Sequence, residues 1–172
     1  MVHERLSFTM PAAADVVFDV FHYHQWRVHW DSLVESTEVV GGAPCPSVGA
    51  VSENAAGGLL RGLRMRTEFL TYDRPRLAAA RMVGKAFPFA RWATSMKHEP
   101  IDRHHSLLIY TYTLETGPSW LRWLMEPVVG RYFSWQTRKR FARMHAFLER
   151  SAPQVETWQR SFGYDADTTK QD

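Results

Sequence analysis

LLIYTYTLETGPSWLRWLMEPVVGRYFSWQTRKRFARMHAFLER, residues 107–150, is the stretch of sequence that decides the fold. Residues 107–115 alternate between two faces, which is typical of a strand with one buried face. Gly117 and Pro118 end this strand. Residues 119–150 then repeat apolar side chains at helical spacing, at Leu121, Leu124, Val128, Tyr132, Phe133, Phe141, Met144 and Leu148. Such a helix spans about 45 Å, enough to cross a curved sheet, and Pro127 predicts a kink or a restart within it.

The residues before this stretch predict an antiparallel sheet. Strand patterns occur at residues 4–10, 33–40, 48–53, 60–72, 77–83 and 90–99. Short turns, among them Gly57-Gly58, join these segments, which predicts an antiparallel meander wrapped around the helix. Strands and helices do not alternate along the chain, which argues against a doubly wound parallel sheet. After the first strand, Pro11 and the spacing of apolar residues up to Phe21 predict a short helix, and residues 22–30 predict a second one.

Length and composition are those of one globular domain. The chain has 172 residues, of which 45% are hydrophobic and 23% charged, so most of it is expected to fold. We predict one domain over residues 1–150 and a polar C-terminal tail over residues 151–172. Trp158 and Phe162 are expected to hold part of this tail against the body.

Net charge and cysteine content limit the partners and the cellular location that are expected. The net charge is +3, and the one tight basic group is Arg138-Lys139-Arg140 with Arg143. This group favours a solvated helix face, so no nucleic-acid partner is expected, while a peripheral membrane contact through it stays open. One cysteine, Cys45, allows no disulfide within a chain. The sequence has neither a signal-peptide core nor a long apolar run, so a cytoplasmic location is expected.

Several motifs occur in an order typical of one superfamily. Pro11 is followed by Val17-Phe18 on the first helix and by Trp30 before the next strand. TYDRPRL at residues 71–77 resembles a turn between central strands, Glu99-Pro100 precedes another turn, and the last helix ends in FLE at residues 147–149. This ordered set covers roughly residues 3–150. It resembles the START-like superfamily, also called the SRPBCC or helix-grip fold, and within it the polyketide cyclase/dehydrase and lipid-transport group.

The resemblance implies an α+β helix-grip fold. A curved antiparallel sheet of about six or seven strands would wrap around the long C-terminal helix, with two short helices after the first strand, and enclose an elongated apolar cavity. Members of the superfamily bind lipids, sterols, quinones or polyketides, and some catalyse cyclisation or dehydration. Since one fold serves many functions, the resemblance leaves the ligand and the chemistry open.

The expected ligand-binding residues are the large inward side chains of the sheet and the helix. They are Trp30, Met65, Phe69, Trp92, Met96, Tyr110, Tyr112 and Phe133. Aromatic rings and thioethers suit an apolar ligand, and tyrosine hydroxyls would orient it. The competing interpretation for each residue is ordinary core packing. For the set we expect a cavity of at least about 300 Å³, the low end of ligand sites.

Acid–base chemistry is harder to assign from the sequence. Tyr110, Tyr112 and Arg81 are candidates for orienting a substrate or holding an enolate. No carboxylate, histidine or lysine stands out among the expected lining residues, so the catalytic residues are unknown and a non-enzymatic binder is favoured.

The histidines do not form a recognisable metal motif. His22, His24 and His29 lie in the helical segments and His104-His105 lies in a turn, without accompanying cysteines or a helical pair with a carboxylate. We therefore expect surface histidines, no metal and no cofactor. Cys45 lies between two prolines, with no neighbour that would activate its thiol.

Three functions remain in competition. The favoured one is a carrier or sensor that binds a lipid-, quinone- or polyketide-like molecule in the cavity. The second is a polyketide cyclase or dehydratase that acts in the same cavity. The third is an interaction module whose basic helix face docks a macromolecule or a membrane. A monomer and a homodimer are both compatible with the sequence.

Overall fold

The computed structural model describes residues 1–31, 34–56 and 64–162. Four features of the sequence prediction lie outside these ranges. They are the start of the second strand at Leu33, the turn at Gly57-Gly58, the beginning of the strand predicted from Leu60, and residues 163–172 of the tail.

Seven strands form one antiparallel sheet. The elements in chain order are β1 (Val2–Met10), α1 (Ala14–His22), α2 (His24–Arg27), β2 (Val34–Val39), β3 (Val51–Ala56), β4 (Arg64–Asp73), β5 (Leu77–Val83), β6 (Phe89–Pro100), β7 (Ser106–Thr116) and α3 (Arg122–Ser161). A 3₁₀ turn at Ser119–Leu121 precedes α3. The strand order is β1-β7-β6-β5-β4-β3-β2, and all neighbours are antiparallel. The predicted α+β helix-grip fold is confirmed, with seven strands.

The curvature of the sheet has identifiable causes. The register shifts between Phe69 and Thr71 on β4, and again between Phe89 and Arg91 on β6. An extra residue on one strand bends it and increases its twist. The central strands therefore curve, while α3 packs against β1 and β7 at one side of the sheet. This arrangement leaves room between α3 and the central strands.

The long helix contains two proline residues and ends later than predicted. Pro127 lies inside α3, so the predicted restart there is wrong, and Pro153 also lies inside the helix. The helix ends at Ser161, eleven residues beyond the predicted end at residue 150. Ala152, Val155 and Gln159 are buried in this extra part, because they recur on the face that packs against the body. Residues 151–161 are thus helical and packed rather than a loose tail.

A buried polar cluster fixes the end of α3. Asp19 on α1 is fully buried and accepts two hydrogen bonds from Arg74, each of 2.7 Å, and one from Gln159, also of 2.7 Å. Nearby, the Trp158 ring packs edge-on against Tyr23 and Trp26, with centroids 4.7 and 5.7 Å apart. The expectation that Trp158 contacts the body is confirmed.

The first turns of α3 are much less covered. Leu124 and Val128 belong to the predicted apolar stripe, yet they are 51% and 65% exposed, and Trp120 and Trp123 are exposed as well. From Phe141 to Leu148, in contrast, the stripe is buried in the main core. The later turns of the helix therefore pack in the core, and its first turns lie at an opening between the helix and the sheet.

Candidate functional site

A cavity of about 440 Å³ lies between the concave face of the sheet and α3. Its lining comes from β3 to β7, from the loop before β6, from α1 and α2, and from α3. The predicted volume of at least about 300 Å³ is confirmed. A larger depression of about 650 Å³ involves outward-facing charged side chains such as Glu68 and Arg81. It lies on the outer face of the sheet, whereas the cavity between the sheet and α3 is lined mainly by apolar side chains, so the latter is the better ligand site.

The structure brings six of the eight predicted side chains together. Met65, Phe69, Trp92, Met96, Tyr110 and Phe133 line the cavity. The rings of Phe89 and Trp92 meet Phe133 across it, with centroids 6.0 and 6.5 Å apart. These contacts join the sheet to α3 with apolar surface, which is the environment that an apolar ligand requires.

Trp30 and Tyr112 do not line the cavity. The Trp30 ring is buried, and its Nε1 donates to the Val20 carbonyl at 3.1 Å. Tyr112 is covered by the Phe133 ring, whose centroid is 4.7 Å away, and its hydroxyl donates a short hydrogen bond to Glu4. Both side chains therefore serve packing.

Small residues that were not among the predicted lining create the space of the cavity. Ala78 and Ala80 on β5 face the cavity, and larger side chains there would fill it. Arg81 lies on the opposite face and donates to Glu68 at 3.0 and 2.9 Å. Its proposed role in holding an enolate is therefore wrong for this cavity. Alternation along residues 77–83 contained the signal, but it does not say which face points inward.

The cavity has an open end and a buried end, and one residue of α3 lies at each end. Val128 lines the cavity and is 65% exposed, which marks the open end. Arg140 lines the cavity twelve residues later on the same helix and is only 7% exposed. At 1.5 Å per residue, these positions are about 18 Å apart. The site is thus elongated, with a mouth at the start of α3.

The buried end is polar. Arg27 Nε donates to Asp31 Oδ2 at 2.8 Å, and Arg140 Nη2 donates to the same oxygen at 2.6 Å. Arg140 was predicted to belong to a solvated basic group, and this prediction is wrong. Arg140 follows Phe133 by seven residues, so the two lie on the same helix face, and this spacing was the available signal.

Asp31 and the two arginines at this end of the cavity are ionised. Burial raises the pKa of Asp31, but the positive charges of Arg140 and Arg27 outweigh it and the net pKa is lowered. Burial lowers the pKa of Arg27, and Asp31 acts against that shift. Burial raises the pKa of the Tyr110 phenol, while the charge of Arg140 acts against the rise, so Tyr110 stays neutral beside two cations.

A histidine also lines the cavity, contrary to expectation. His22 is buried rather than at the surface, and its Nδ1 donates to the Phe18 carbonyl at 2.8 Å. Burial lowers its pKa well below the usual value, so the ring is neutral and Nε2 carries a lone pair. His98 is buried behind it, and burial lowers its pKa to about 3. Within the described ranges, no three His, Cys, Asp or Glu side chains could hold a metal ion.

Comparisons with known proteins agree with this architecture. The family described as polyketide cyclase / dehydrase and lipid transport matches residues 1–149. No curated protein sequence matches the chain. Of the helices that the structure describes, none is both long and apolar enough to span a membrane.

Solved structures that share the fold include the following three proteins. The Zhui aromatase/cyclase from Streptomyces sp. R1128 is 16% identical, with a TM-score of 0.70 over 88% of this chain and 95% of that chain. A START superfamily protein from Mycobacterium smegmatis is 9% identical, with a TM-score of 0.71 over 86% and 97%. Norcoclaurine synthase from Thalictrum flavum is 13% identical, with a TM-score of 0.60 over 87% of both chains. At such low identity the likeness extends to the fold alone.

Proposed function

The chain belongs to the polyketide cyclase/dehydrase and lipid-transport family of the START-like superfamily, and from this premise we propose that it binds a hydrophobic small molecule as a carrier or sensor. The observation that carries the proposal is the cavity of about 440 Å³ lined by Met65, Phe69, Trp92, Met96 and Phe133. Burial of apolar surface would supply most of the affinity, at roughly 25 cal/mol per Å² before the costs of association.

The shape of the site supports an elongated ligand. The lining runs along α3 from the exposed Val128 to the buried Arg140, so a ligand would enter at the mouth and extend inward. Thioether side chains such as Met65 and Met96 adapt to irregular shapes. Lipid-, quinone- and polyketide-like molecules meet these requirements, and all of them are ligand classes of the superfamily.

A second candidate function is a polyketide cyclase or dehydratase activity in the same cavity. The observation that favours it is His22, a neutral buried imidazole in the lining whose Nδ1 is already engaged by Phe18. Its Nε2 could accept a proton from a bound poly-ketone, and Tyr110 could donate a hydrogen bond to the resulting enolate oxygen.

Cavity-filling variants test the binding proposal. Ala80 faces the cavity, whereas Ala79 lies on the other face of β5. We expect Ala80→Leu to weaken binding of a fluorescent fatty acid at least about tenfold, because the added side chain occupies ligand space. The matched control, Ala79→Leu, should bind as the wild type does. Equal binding by wild type and Ala80→Leu, or no binding by either, would contradict the proposal.

Native mass spectrometry separates the carrier from the enzyme. The protein is purified from its own cells and the molecule that accompanies it is identified. A carrier returns this molecule unchanged after incubation. A dehydratase returns a product lighter by one water, and a His22→Asn variant would bind the molecule without converting it.

The proposal includes a cellular compartment and an oligomeric state. Cys45 is the single cysteine of the chain, which suits a reducing compartment such as the cytoplasm. The protein would act as a monomer or a homodimer. Size-exclusion chromatography with light scattering distinguishes these two states.

A further inference from the structure

The buried end of the cavity holds more positive than negative charge. Two guanidinium groups, of Arg27 and Arg140, share the carboxylate of Asp31 at 2.8 and 2.6 Å. Among the described residues, no other acidic side chain forms an ion pair with either arginine. Because two guanidinium groups share one carboxylate, this end of the cavity retains one unbalanced positive charge. A buried ion without a counter-charge is energetically costly.

The hydrogen-bonding capacity of Arg140 is also incompletely used. Its Nη2 donates to Asp31, while its buried Nε has no hydrogen-bond partner within the described part of the chain. The residue is only 7% exposed, so bulk water has little access to the remaining donors. A guanidinium carries five N–H donors in a fixed plane, suited to planar anions.

Aromatic packing holds both guanidinium groups in place. The carbon Cζ of Arg27 lies 4.9 Å from the centroid of the Phe21 ring, and that of Arg140 lies 4.8 Å from it. Arg140 also lies over Trp30 and Phe141, at 5.7 and 5.8 Å. These side chains are therefore preorganised, which reduces the entropy lost when they bind a ligand.

The neighbours in the lining do not supply the missing negative charge. His22 is neutral because burial lowers its pKa, and Tyr110 is neutral because burial raises its pKa. All four groups, the two arginines included, line the cavity. An anion at this end would therefore lie near two cations and a neutral phenol. Asp31 would be the one carboxylate near it among the described residues.

We propose that Arg27 and Arg140 bind the acidic group of the ligand, so that the cavity takes an amphipathic carboxylic acid with its carboxylate at the buried end. This inference rests on the proposed function and adds the chemical class of the ligand. The apolar body of the acid lies against Trp92, Met96 and Phe133 and extends toward Val128 at the mouth. A neutral sterol or hydrocarbon leaves the charge at the buried end unbalanced and binds more weakly.

A pair of probes with the same apolar body tests the inference. Dansyl-labelled undecanoic acid and its methyl ester are titrated into the wild type at neutral pH, and binding is followed by dansyl fluorescence. We expect the acid to bind at least about tenfold more tightly than the ester, because charge-assisted hydrogen bonds are the strong ones. This comparison needs no variant and is independent of any folding defect.

Variants then assign the preference to the arginines. In Arg140→Gln, the remaining Arg27 and Asp31 form a balanced pair, so the acid should lose most of its advantage over the ester. Arg140→Lys keeps the charge and should retain part of the preference. The matched control is Arg138→Gln, because Arg138 lies on the same helix but is exposed and does not line the cavity.

Each outcome decides between the two proposals. Equal affinity for acid and ester in the wild type overturns the inference and leaves the proposed binding function intact. A preference for the acid that persists in both Arg140→Gln and Arg27→Gln also overturns it, because the anion is then bound elsewhere. Failure of both probes to bind counts against the proposed function, and the inference that rests on it falls as well.

Discussion

Arg140 Nη2 lies 2.6 Å from Asp31 Oδ2, across 109 positions of sequence. The contact joins the middle of α3 to the residue shortly after α2. Arg27 meets the same oxygen from α2, so one carboxylate connects three parts of the chain. Because this carboxylate lies beside the buried end of the cavity, a substitution of Asp31 would affect both the stability of the fold and the charge of the cavity.

Asp31→Asn should be one of the most damaging single substitutions in the protein. It leaves the buried Arg140 and the half-buried Arg27 without a counter-charge, and we expect the free energy of unfolding to fall by about 3–5 kcal/mol. Urea unfolding measures this change. The control is Glu68→Gln, which removes a pairing of exposed Arg81 and should change stability little. Similar effects of the two substitutions would contradict the assignment of a buried ion cluster.

Tyr112→Phe should affect stability and leave ligand binding unchanged. The hydroxyl donates to Glu4, and Tyr112 does not line the cavity. Loss of a hydrogen bond to a charged acceptor should lower the free energy of unfolding by about 1–3 kcal/mol. Urea unfolding and titration of the fluorescent fatty acid are measured on the same preparation. A loss of affinity with unchanged stability would mean that Tyr112 contacts the ligand.

Trp92→Ala should weaken ligand binding. The ring lines the cavity and is half-buried, so removing it takes away apolar surface that a ligand would cover. We expect the Kd of the fluorescent fatty acid to rise at least about tenfold. Trp123→Ala is the control, because this ring is 76% exposed and does not line the cavity. The prediction is wrong if both variants bind as the wild type does.

His98 should make the fold sensitive to acid. Burial lowers its pKa to about 3 from the ordinary value of 6.5, so the unfolded chain binds one more proton between these pH values. Stability therefore falls as the pH falls through this window, by up to about 1.4 kcal/mol per pH unit for this group. His98→Phe should reduce the slope of the unfolding free energy against pH between these limits, and the contribution of His22, whose pKa burial also lowers, should remain.

The control for this measurement is His104→Phe, because His104 is exposed in the turn between β6 and β7. It should keep the steep dependence of the wild type. At neutral pH, His98→Phe should cost little, since both ring nitrogens of His98 lack a hydrogen-bond partner among the described residues. Parallel curves for wild type and His98→Phe would show that other groups cause the acid sensitivity.

The sheet was predictable because alternation with a period of two is a local property. Residues 107–115 and 90–99 contain it clearly, and β7 and β6 follow them closely. The buried end of the cavity was not predictable in this way. Arg140 lies between Lys139 and Phe141, and a local reading assigns such a basic group to solvent. Tertiary contacts with Asp31 and with the rings of Phe21 and Trp30 make its burial tolerable.

The end of α3 was missed for a different reason. Pro153 favours a helix end when only propensity is considered. In the structure, Val155 and Gln159 are buried beyond it, and Gln159 donates to Asp19. Tertiary packing of this face outweighs the hydrogen bond that the proline cannot donate. Likewise, the alternation that includes Ala78 and Ala80 does not say which face of β5 points inward, so the space that these small side chains leave was not predictable.

The anchoring of the last turns of α3 bears on where the protein can be shortened. The family match ends at residue 149, yet Trp158 packs on Tyr23 and Gln159 completes the partners of Asp19. A chain cut at the family boundary would keep every residue that lines the cavity and lose these contacts. We expect it to aggregate or to unfold at lower temperature than a chain cut at residue 162. The region shared across relatives is therefore shorter than the folding unit of this protein.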